Sequence, residues 1–254
     1  MTHEIDKQNL TSYWIKKNVP EHVIQTLINH LKSFKFTSEE LQARWGWAYE
    51  TEEDVINNHY MKLIACLFSY QEAIKDKHVL ELGPGIGFSS YLYHAFGASG
   101  YHGIEAYHPN AEACKKICEF PNWEVTTGLF EDEFQNVLKK RFDTLSLINI
   151  IEYMSVDYVQ DLLKNSYSNF DYLLLAQQVE PYNKQTCDLK LIPKNKNRYG
   201  ARSLSNTWQE KTIQGSEGSI LYYKNKLQEA GWKIKFTGIT PGISHRSHVV
   251  VCAK

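Results

Sequence analysis

The hydrophobic pattern divides this 254-residue chain into a helical first part and an alternating second part. Apolar residues recur at helical spacing over 23–34, just after Pro20, and again over 55–67. Proline suits the first turn of a helix, and the segment Thr51–Asp54 resembles a capping box. We therefore predict that residues 1–70 form an N-terminal helical cap.

From residue 78 onward, short apolar runs alternate with helical patterns. The predicted strands are Val79–Leu82, Tyr101–Glu105, Trp123–Thr127, Thr144–Ile151, Asp171–Gln177, Trp232–Gly238 and His248–Ala253. The predicted helices are Phe88–Phe96, Asn110–Phe120, Glu131–Lys140, Val156–Ser166 and Leu221–Ala230. This alternation predicts an α/β fold with a parallel sheet. The last two strands have no helix between them and must be antiparallel.

The segment 180–218 interrupts this pattern and is rich in Lys, Asn, Gly and Ser. It is either a solvated insertion or a lid, because long loops in compact domains often have a function. Around it, residues 71–254 are predicted to form the main domain.

Composition and charge limit the classes of partner. The chain is 43% hydrophobic and 22% charged, with a formal net charge of -1, which provides no general attraction to nucleic acid or anionic lipid. No run of 18 apolar residues exists, and the N-terminus lacks the pattern of a signal peptide. We expect a cytoplasmic protein with a small-molecule partner.

The cysteines do not indicate a metal site. Five are scattered along the chain, and no Cys-x-x-Cys pair exists. Cys114 and Cys118 are four residues apart on a predicted helix without a matching His/Cys pair nearby. We interpret them as buried thiols rather than zinc ligands.

The turn after the first predicted strand is rich in glycine and begins with an acid. Residues 81–87 read Glu-Leu-Gly-Pro-Gly-Ile-Gly. This spacing differs from the Gly-x-Gly-x-x-Gly of a dinucleotide loop, and no Gly-Lys-Ser/Thr triplet of a P-loop follows. Glycines let a backbone come close to a ligand. Glu81 favours a cationic or hydroxyl-rich ligand, since a carboxylate would repel phosphate.

This turn and the end of the second strand resemble two motifs of class I S-adenosylmethionine (SAM)-dependent methyltransferases. Residues 81–87 match the family's acid-x-Gly-x-Gly-x-Gly motif at each position, and in the family that loop wraps the methionine part of SAM. Glu105 matches the acid that holds both ribose hydroxyls. The resemblance covers about residues 60–254. It implies a Rossmann-like, seven-stranded, mostly parallel sheet with a C-terminal antiparallel hairpin.

Two further segments resemble the family in part. Residues 142–153 resemble its fourth strand, with Tyr153 in place of a frequent histidine. Residues 128–132 resemble the guanidinoacetate methyltransferase branch in their Gly, aromatic, Glu and Asp. The cofactor contacts that the resemblance implies are Glu81, Gly83, Gly85, Gly87, Glu105, Ala106, Phe130, Glu131, Asn149 and Ile150.

Other candidates lie in loops at the carboxyl edge of the predicted sheet and in the cap. Tyr153 and His245 are candidate catalytic bases, since histidine can remove a proton near neutral pH. The predicted substrate contacts are Trp45, Trp47, Tyr153, Tyr182, Arg202, His245 and Arg246. Structural interpretations remain open: the aromatic residues could fill the core, and the loop residues could simply be exposed.

Together these features favour a methyltransferase that modifies a nitrogen or oxygen of a small molecule. A protein or RNA methyltransferase and a non-catalytic SAM-binding module remain alternatives. A nicotinamide-dependent oxidoreductase is disfavoured by the glycine spacing. Glu81 and Glu105 could instead be structural acids at strand ends, and Asn149 could satisfy backbone groups.

Overall fold

Strands and helices alternate through most of the structure, a computed structural model that describes residues 17, 19–33, 39, 41, 62–154, 156–179, 220–240 and 246–254. The helices are α1 (Glu21–Ser33), α2 (residues 62–69), α3 (Phe88–Ala95), α4 (His108–Ile117), α5 (Phe130–Val137), α6 (Val156–Asn169) and α7 (Ile220–Glu229). The strands are β1 (His78–Leu82), β2 (Gly100–Glu105), β3 (Trp123–Thr127), β4 (Thr144–Ile148), β5 (Tyr172–Val179), β6 (Lys233–Thr240) and β7 (Arg246–Ala253). A π-helical turn, Tyr70–Ile74, follows α2, and a 3-10 turn, Ile151–Tyr153, follows β4.

All seven strands form one sheet in the order β3-β2-β1-β4-β5-β7-β6. The pairs that involve only β1 to β5 are parallel, whereas β7 pairs antiparallel with both β5 and β6. The predicted Rossmann-like fold with a C-terminal antiparallel hairpin is therefore confirmed.

The burial of a strand's residues differs between the centre and the edge of the sheet. The strands β1 and β4 are almost wholly buried and each has three apolar residues in five, which suits central parallel strands with helices on both faces. By contrast, β3 lies at an edge and its residues are half-buried or exposed.

The sheet separates two apolar layers. Alternate residues of β1 point to opposite faces, so Val79 belongs to an apolar cluster with residues of α1, α2, α3 and α4, whereas Leu80 belongs to a second cluster with residues of α5, α6 and α7. Apolar residues of α1 and α2 share the first layer with the sheet. The boundary of a separate cap at residue 70 stays a prediction.

The strand order reverses beside β1. The chain runs outward from β1 to β2 and β3, and then returns to place β4 on the other side of β1. Loops after β1 and β4 therefore leave in different directions and open a crevice, which is where ligands bind in open α/β sheets.

Most element boundaries lie one to three residues from the sequence-based expectation, and two of these differences concern β4 and α4. The strand β4 ends at Ile148 rather than Ile151, and α4 begins at His108 rather than Asn110. The predicted lid 180–218 lies outside the described residues. Within the described ranges, no helix is long and apolar enough to cross a membrane, and no cluster of His, Cys, Asp and Glu could hold a metal ion.

Candidate functional site

In the glycine turn between β1 and α3, the middle glycine has open space in front of it. All three glycines have positive φ: 68° at Gly83, 64° at Gly85 and 94° at Gly87. A Cβ added at Gly83 would overlap the Ile150 side chain, and one at Gly87 would collide with Cys114 on α4. At Gly85 no atom of the structure as described lies within 4 Å of the added Cβ. The backbone at Gly85 is therefore the part of the turn that a ligand can approach.

We expect Gly87→Ala to destabilise the folded protein by about 3 kcal/mol. Its Cβ would lie 2.7 Å from Cys114 Sγ and 3.1 Å from Cys114 Cα, so the α4 backbone must shift. Urea unfolding measures the loss. The control Gly97→Ala has a φ of 83° but meets only Lys75 Cγ, at 3.6 Å, and should lose about 1 kcal/mol. Equal losses at both positions would contradict this account.

The glycine N–H groups of this turn are already paired within the protein. Gly85 N donates to Glu105 Oε2 at 2.8 Å, and Gly87 N donates to the Pro84 carbonyl oxygen at 3.3 Å. In a phosphate-binding loop, such N–H groups point at the ligand. The glycine N–H groups are therefore not free to donate to a phosphate.

Glu105 lies at the end of β2 with its carboxylate against the turn. Besides the Gly85 bond, its Oε1 accepts a hydrogen bond from Tyr107 N at 2.9 Å. Burial raises the pKa of Glu105 to about 7, although the two backbone hydrogen bonds act in the opposite direction. A carboxylate has about four acceptor positions, so this one can still accept from a ligand.

Glu81 is fully buried on the α3 side of the sheet. Its Oε2 accepts hydrogen bonds from Ser89 Oγ at 2.5 Å and from the Tyr101 hydroxyl at 2.7 Å. The Lys62 ammonium lies 3.8 Å from its Oε1. Glu81 thus links β1 to β2 and α3 and also retains one oxygen without a hydrogen-bond donor among the described residues.

Two asparagines near the turn also have unpaired oxygens. Asn149 follows β4 with a φ of 57°, and its backbone N donates to the Ala176 carbonyl at 2.8 Å. Its buried Oδ1, and that of Asn110 in the first turn of α4, have no hydrogen-bond partner in the described parts of the chain. Buried polar atoms are normally paired. With Glu81 Oε1, these acceptors favour a ligand rich in N–H and O–H donors.

Three other predicted cofactor residues lie on neighbouring elements. Ala106 is half-buried directly after Glu105. Phe130 is buried at the start of α5, where its carbonyl accepts a hydrogen bond from the Tyr158 hydroxyl at 3.3 Å. Glu131 is exposed and lines a groove between α5 and α6. The loop before α5 reaches the site, because Gly128 N donates to the Glu105 carbonyl at 3.0 Å.

The candidate catalytic and substrate residues are only partly described. Tyr153 is half-buried in the 3-10 turn after β4, and it packs against the apolar layer of α5, α6 and α7. Arg246 begins β7. The other candidates lie outside the described residues: Trp45, Trp47, Tyr182, Arg202 and His245.

Sequence reasoning missed two polar residues near the turn. Lys62 contacts Ser89 and Glu81 from α2, and Asn110 lies one helical turn before Cys114 on the α4 face that meets Gly87. A single polar residue in a helical pattern gives no local signal of such a position. For Asn110, its place in the first turn after Glu105 was the available clue.

Solved structures resemble this chain in fold. Magnesium protoporphyrin IX methyltransferase from Synechocystis PCC 6803, solved with bound S-adenosylhomocysteine (SAH), aligns with a TM-score of 0.57 at 13% identity, covering 91% of this chain and 99% of that one. A putative RNA methyltransferase from Pyrococcus horikoshii aligns at 0.54 with 12% identity, covering 91% and 97%. The SAH-bound N-terminal domain of EvdMO1 aligns at 0.54 with 15% identity, covering 93% and 97%.

The chain has the fold of SAM-dependent methyltransferases. The sequence itself matches no family profile, and no curated protein is significantly similar to it. At identities of 12–15% the likeness establishes the fold, so the chemistry must be argued from the residues.

Proposed function

We propose that this protein is a SAM-dependent methyltransferase that modifies a nitrogen or oxygen of a small molecule. The observation that carries the proposal is the open space in front of Gly85, next to the carboxylate of Glu105. There the Gly85 N–H donates to Glu105, and the buried Asn149 Oδ1, one residue before the Ile150 that packs on Gly83, has no hydrogen-bond partner among the described residues. The glycine N–H groups are therefore not free to donate to a dinucleotide pyrophosphate. A cationic nucleoside with ribose hydroxyls and amino groups fits this open space.

Each polar residue has a proposed role in holding SAM. Glu105 accepts hydrogen bonds from the ribose hydroxyls, which strengthens them because the acceptor is charged. Glu81 and Asn149 face the amino-acid end, and Gly85 lets the backbone approach the ligand. The remaining members of the proposed cofactor site are Gly83, Gly87, Ala106, Phe130, Glu131 and Ile150.

SAM supplies a methyl group on a cationic sulfur that leaves as a neutral thioether. The protein's part is to orient the acceptor atom in line with that methyl group and to exclude water. Where the acceptor atom carries a proton, Tyr153 or His245 is the proposed base. The proposed substrate contacts are Trp45, Trp47, Tyr153, Tyr182, Arg202, His245 and Arg246.

A small-molecule acceptor is supported by charge and by one structural relative. The formal net charge of -1 provides no general field to attract RNA. The Synechocystis relative is named for a porphyrin substrate, whereas the Pyrococcus relative is described as a putative RNA methyltransferase. The resemblance of residues 128–132 to guanidinoacetate methyltransferases remains a prediction, so a guanidino compound belongs among the test acceptors.

Parallel titrations of the purified protein with SAH and NADH test the cofactor assignment. We expect saturable binding of SAH and none of NADH, because the glycine N–H groups that a pyrophosphate would need are paired within the protein. Binding of NADH without SAH would contradict the proposal.

Methyl-labelled SAM, incubated with separate panels of metabolites, RNA and protein, then tests the acceptor class. Label in a metabolite carrying an amine, guanidine or hydroxyl group is the expected result. Label in RNA or protein alone would show that the acceptor is a macromolecule and not a small molecule. Tight SAH binding with no label in any panel would indicate a non-catalytic module.

A further inference from the structure

Lys62 reaches the proposed cofactor site from outside the glycine turn. It lies in the first described turn of α2, and its Nζ is 3.2 Å from Ser89 Oγ and 3.8 Å from Glu81 Oε1. The Lys62 side chain is 16% exposed, whereas that of Glu81 is fully buried. The ammonium group is therefore the accessible member of this ion pair.

The two oxygens of Glu81 have different surroundings. Oε2 accepts hydrogen bonds from Ser89 and Tyr101, but Oε1 accepts none from the residues that the structure describes. At 3.8 Å, Lys62 is too far from Oε1 for a hydrogen bond. A buried carboxylate oxygen in this state is costly unless a donor reaches it.

An α-amino acid group complements this pair because it carries one charge of each sign. Its ammonium can donate to Glu81 Oε1, and its carboxylate can accept from Lys62 Nζ. One long ion pair is then replaced by two direct, charge-assisted hydrogen bonds. Ser89 anchors the lysine on the turn side of α3, since its hydroxyl contacts both Lys62 and Glu81.

We propose that Lys62 is a specificity-determining residue that binds the carboxylate of the cofactor's amino-acid end. This role rests on the proposed function and adds to it the group that distinguishes SAM from nucleosides without a carboxylate. The alternative is a purely structural role, in which Lys62 only holds α2 against the sheet.

Measuring the affinities of two ligands for the wild type and for one Lys62 variant distinguishes these two roles. SAH and decarboxylated SAH share the nucleoside, the sulfur and the ammonium, and differ only in the carboxylate. We expect the wild type to bind decarboxylated SAH about 10–100-fold more weakly than SAH, the usual effect of one charge-assisted hydrogen bond. In Lys62→Gln, which keeps a donor for Ser89 but not the charge, that ratio should fall towards one.

Two controls accompany these measurements. Lys62→Arg should retain most of the wild-type ratio, and Lys115→Met, which breaks an exposed pair with Glu112, should leave it unchanged. Thermal unfolding of each variant reports folding independently. If Lys62→Gln fails to fold, the wild-type ratio still decides, because a ratio near one overturns the role.

The outcomes also separate this role from the proposed function. Wild-type protein that binds SAH and decarboxylated SAH equally, or a Lys62→Gln variant that loses both ligands in parallel, overturns the role of Lys62 alone. Wild-type protein that binds neither compound overturns the methyltransferase assignment and the role together.

Discussion

Replacing Gly85 with valine should weaken SAH binding by at least about 100-fold while the protein remains folded. The new side chain would project into the open space in front of the turn, where we place the cofactor. The cost to folding should be only about 2 kcal/mol, from a side chain held at a φ of 64°. A Cβ at this position meets no atom of the described structure within 4 Å, apart from its chain neighbours.

Titration calorimetry and urea unfolding measure these two effects separately. The matched control is Gly97→Val, because Gly97 has a φ of 83° and a Cβ there meets only the flexible Lys75 side chain, at 3.6 Å, but it lies in the loop that leads into β2. It should show a similar stability loss and unchanged affinity for SAH. Unchanged affinity in Gly85→Val would mean that the cofactor does not lie against this turn.

The Glu105→Gln substitution should also weaken SAH binding by about 100-fold, since two charge-assisted hydrogen bonds to the ribose lose their charge. The amide would also turn an N–H₂ group towards Gly85 N or Tyr107 N, where the structure needs an acceptor. The control is Glu112→Gln, an exposed acid on α4 paired with Lys115, which should leave affinity unchanged.

The same carboxyl predicts how affinity depends on pH. The pKa of Glu105 is raised to about 7 by burial, and the ribose hydroxyls need the ionised form. SAH affinity should therefore be highest above pH 7 and fall by up to about tenfold per pH unit below it. The profile of Glu105→Gln should be flat across this range. A wild-type profile that is flat from pH 5.5 to 8.5 would remove Glu105 from the ribose site.

In the unliganded protein, the contribution of Glu105 to folding stability should depend on pH in the direction opposite to that of SAH affinity. The pKa of Glu105 is higher in the folded state than its usual 4.5, so the folded state binds more protons between these values. Its contribution to stability is present below about pH 4.5 and is lost as pH rises through about 7. Ionised Glu105 thus destabilises the free protein at the pH where it serves the ligand.

The strands were predictable because short apolar runs are bounded by polar or glycine-rich turns. The prediction of β3 as Trp123–Thr127 is confirmed residue for residue. For β4 the apolar run continues to Ile151, but the strand ends at Ile148 because Asn149 turns the chain with a positive φ. Ile150 is then buried against Gly83, so its apolar character reflects loop packing. Sequence periodicity does not distinguish an apolar residue that belongs to a strand from one that packs in the loop after it.

The candidate site was predictable only where motifs are local. Gly85 is marked by its place in the glycine turn after β1 and Glu105 by its place at the end of β2, and the structure joins them through a hydrogen bond. The contact of Lys62 with Glu81 spans nineteen residues and depends on how α2 packs against the sheet. The internal pairing of the Gly87 N–H likewise depends on backbone geometry.

The order of the strands has a consequence for folding during translation. β7 lies between β5 and β6, although the ribosome makes it after both. The five parallel strands can pair as they emerge, whereas β6 finds its only partner in the described sheet once β7 has been made. Until then the edge of β5 remains open to other nascent chains, which makes this intermediate prone to aggregation.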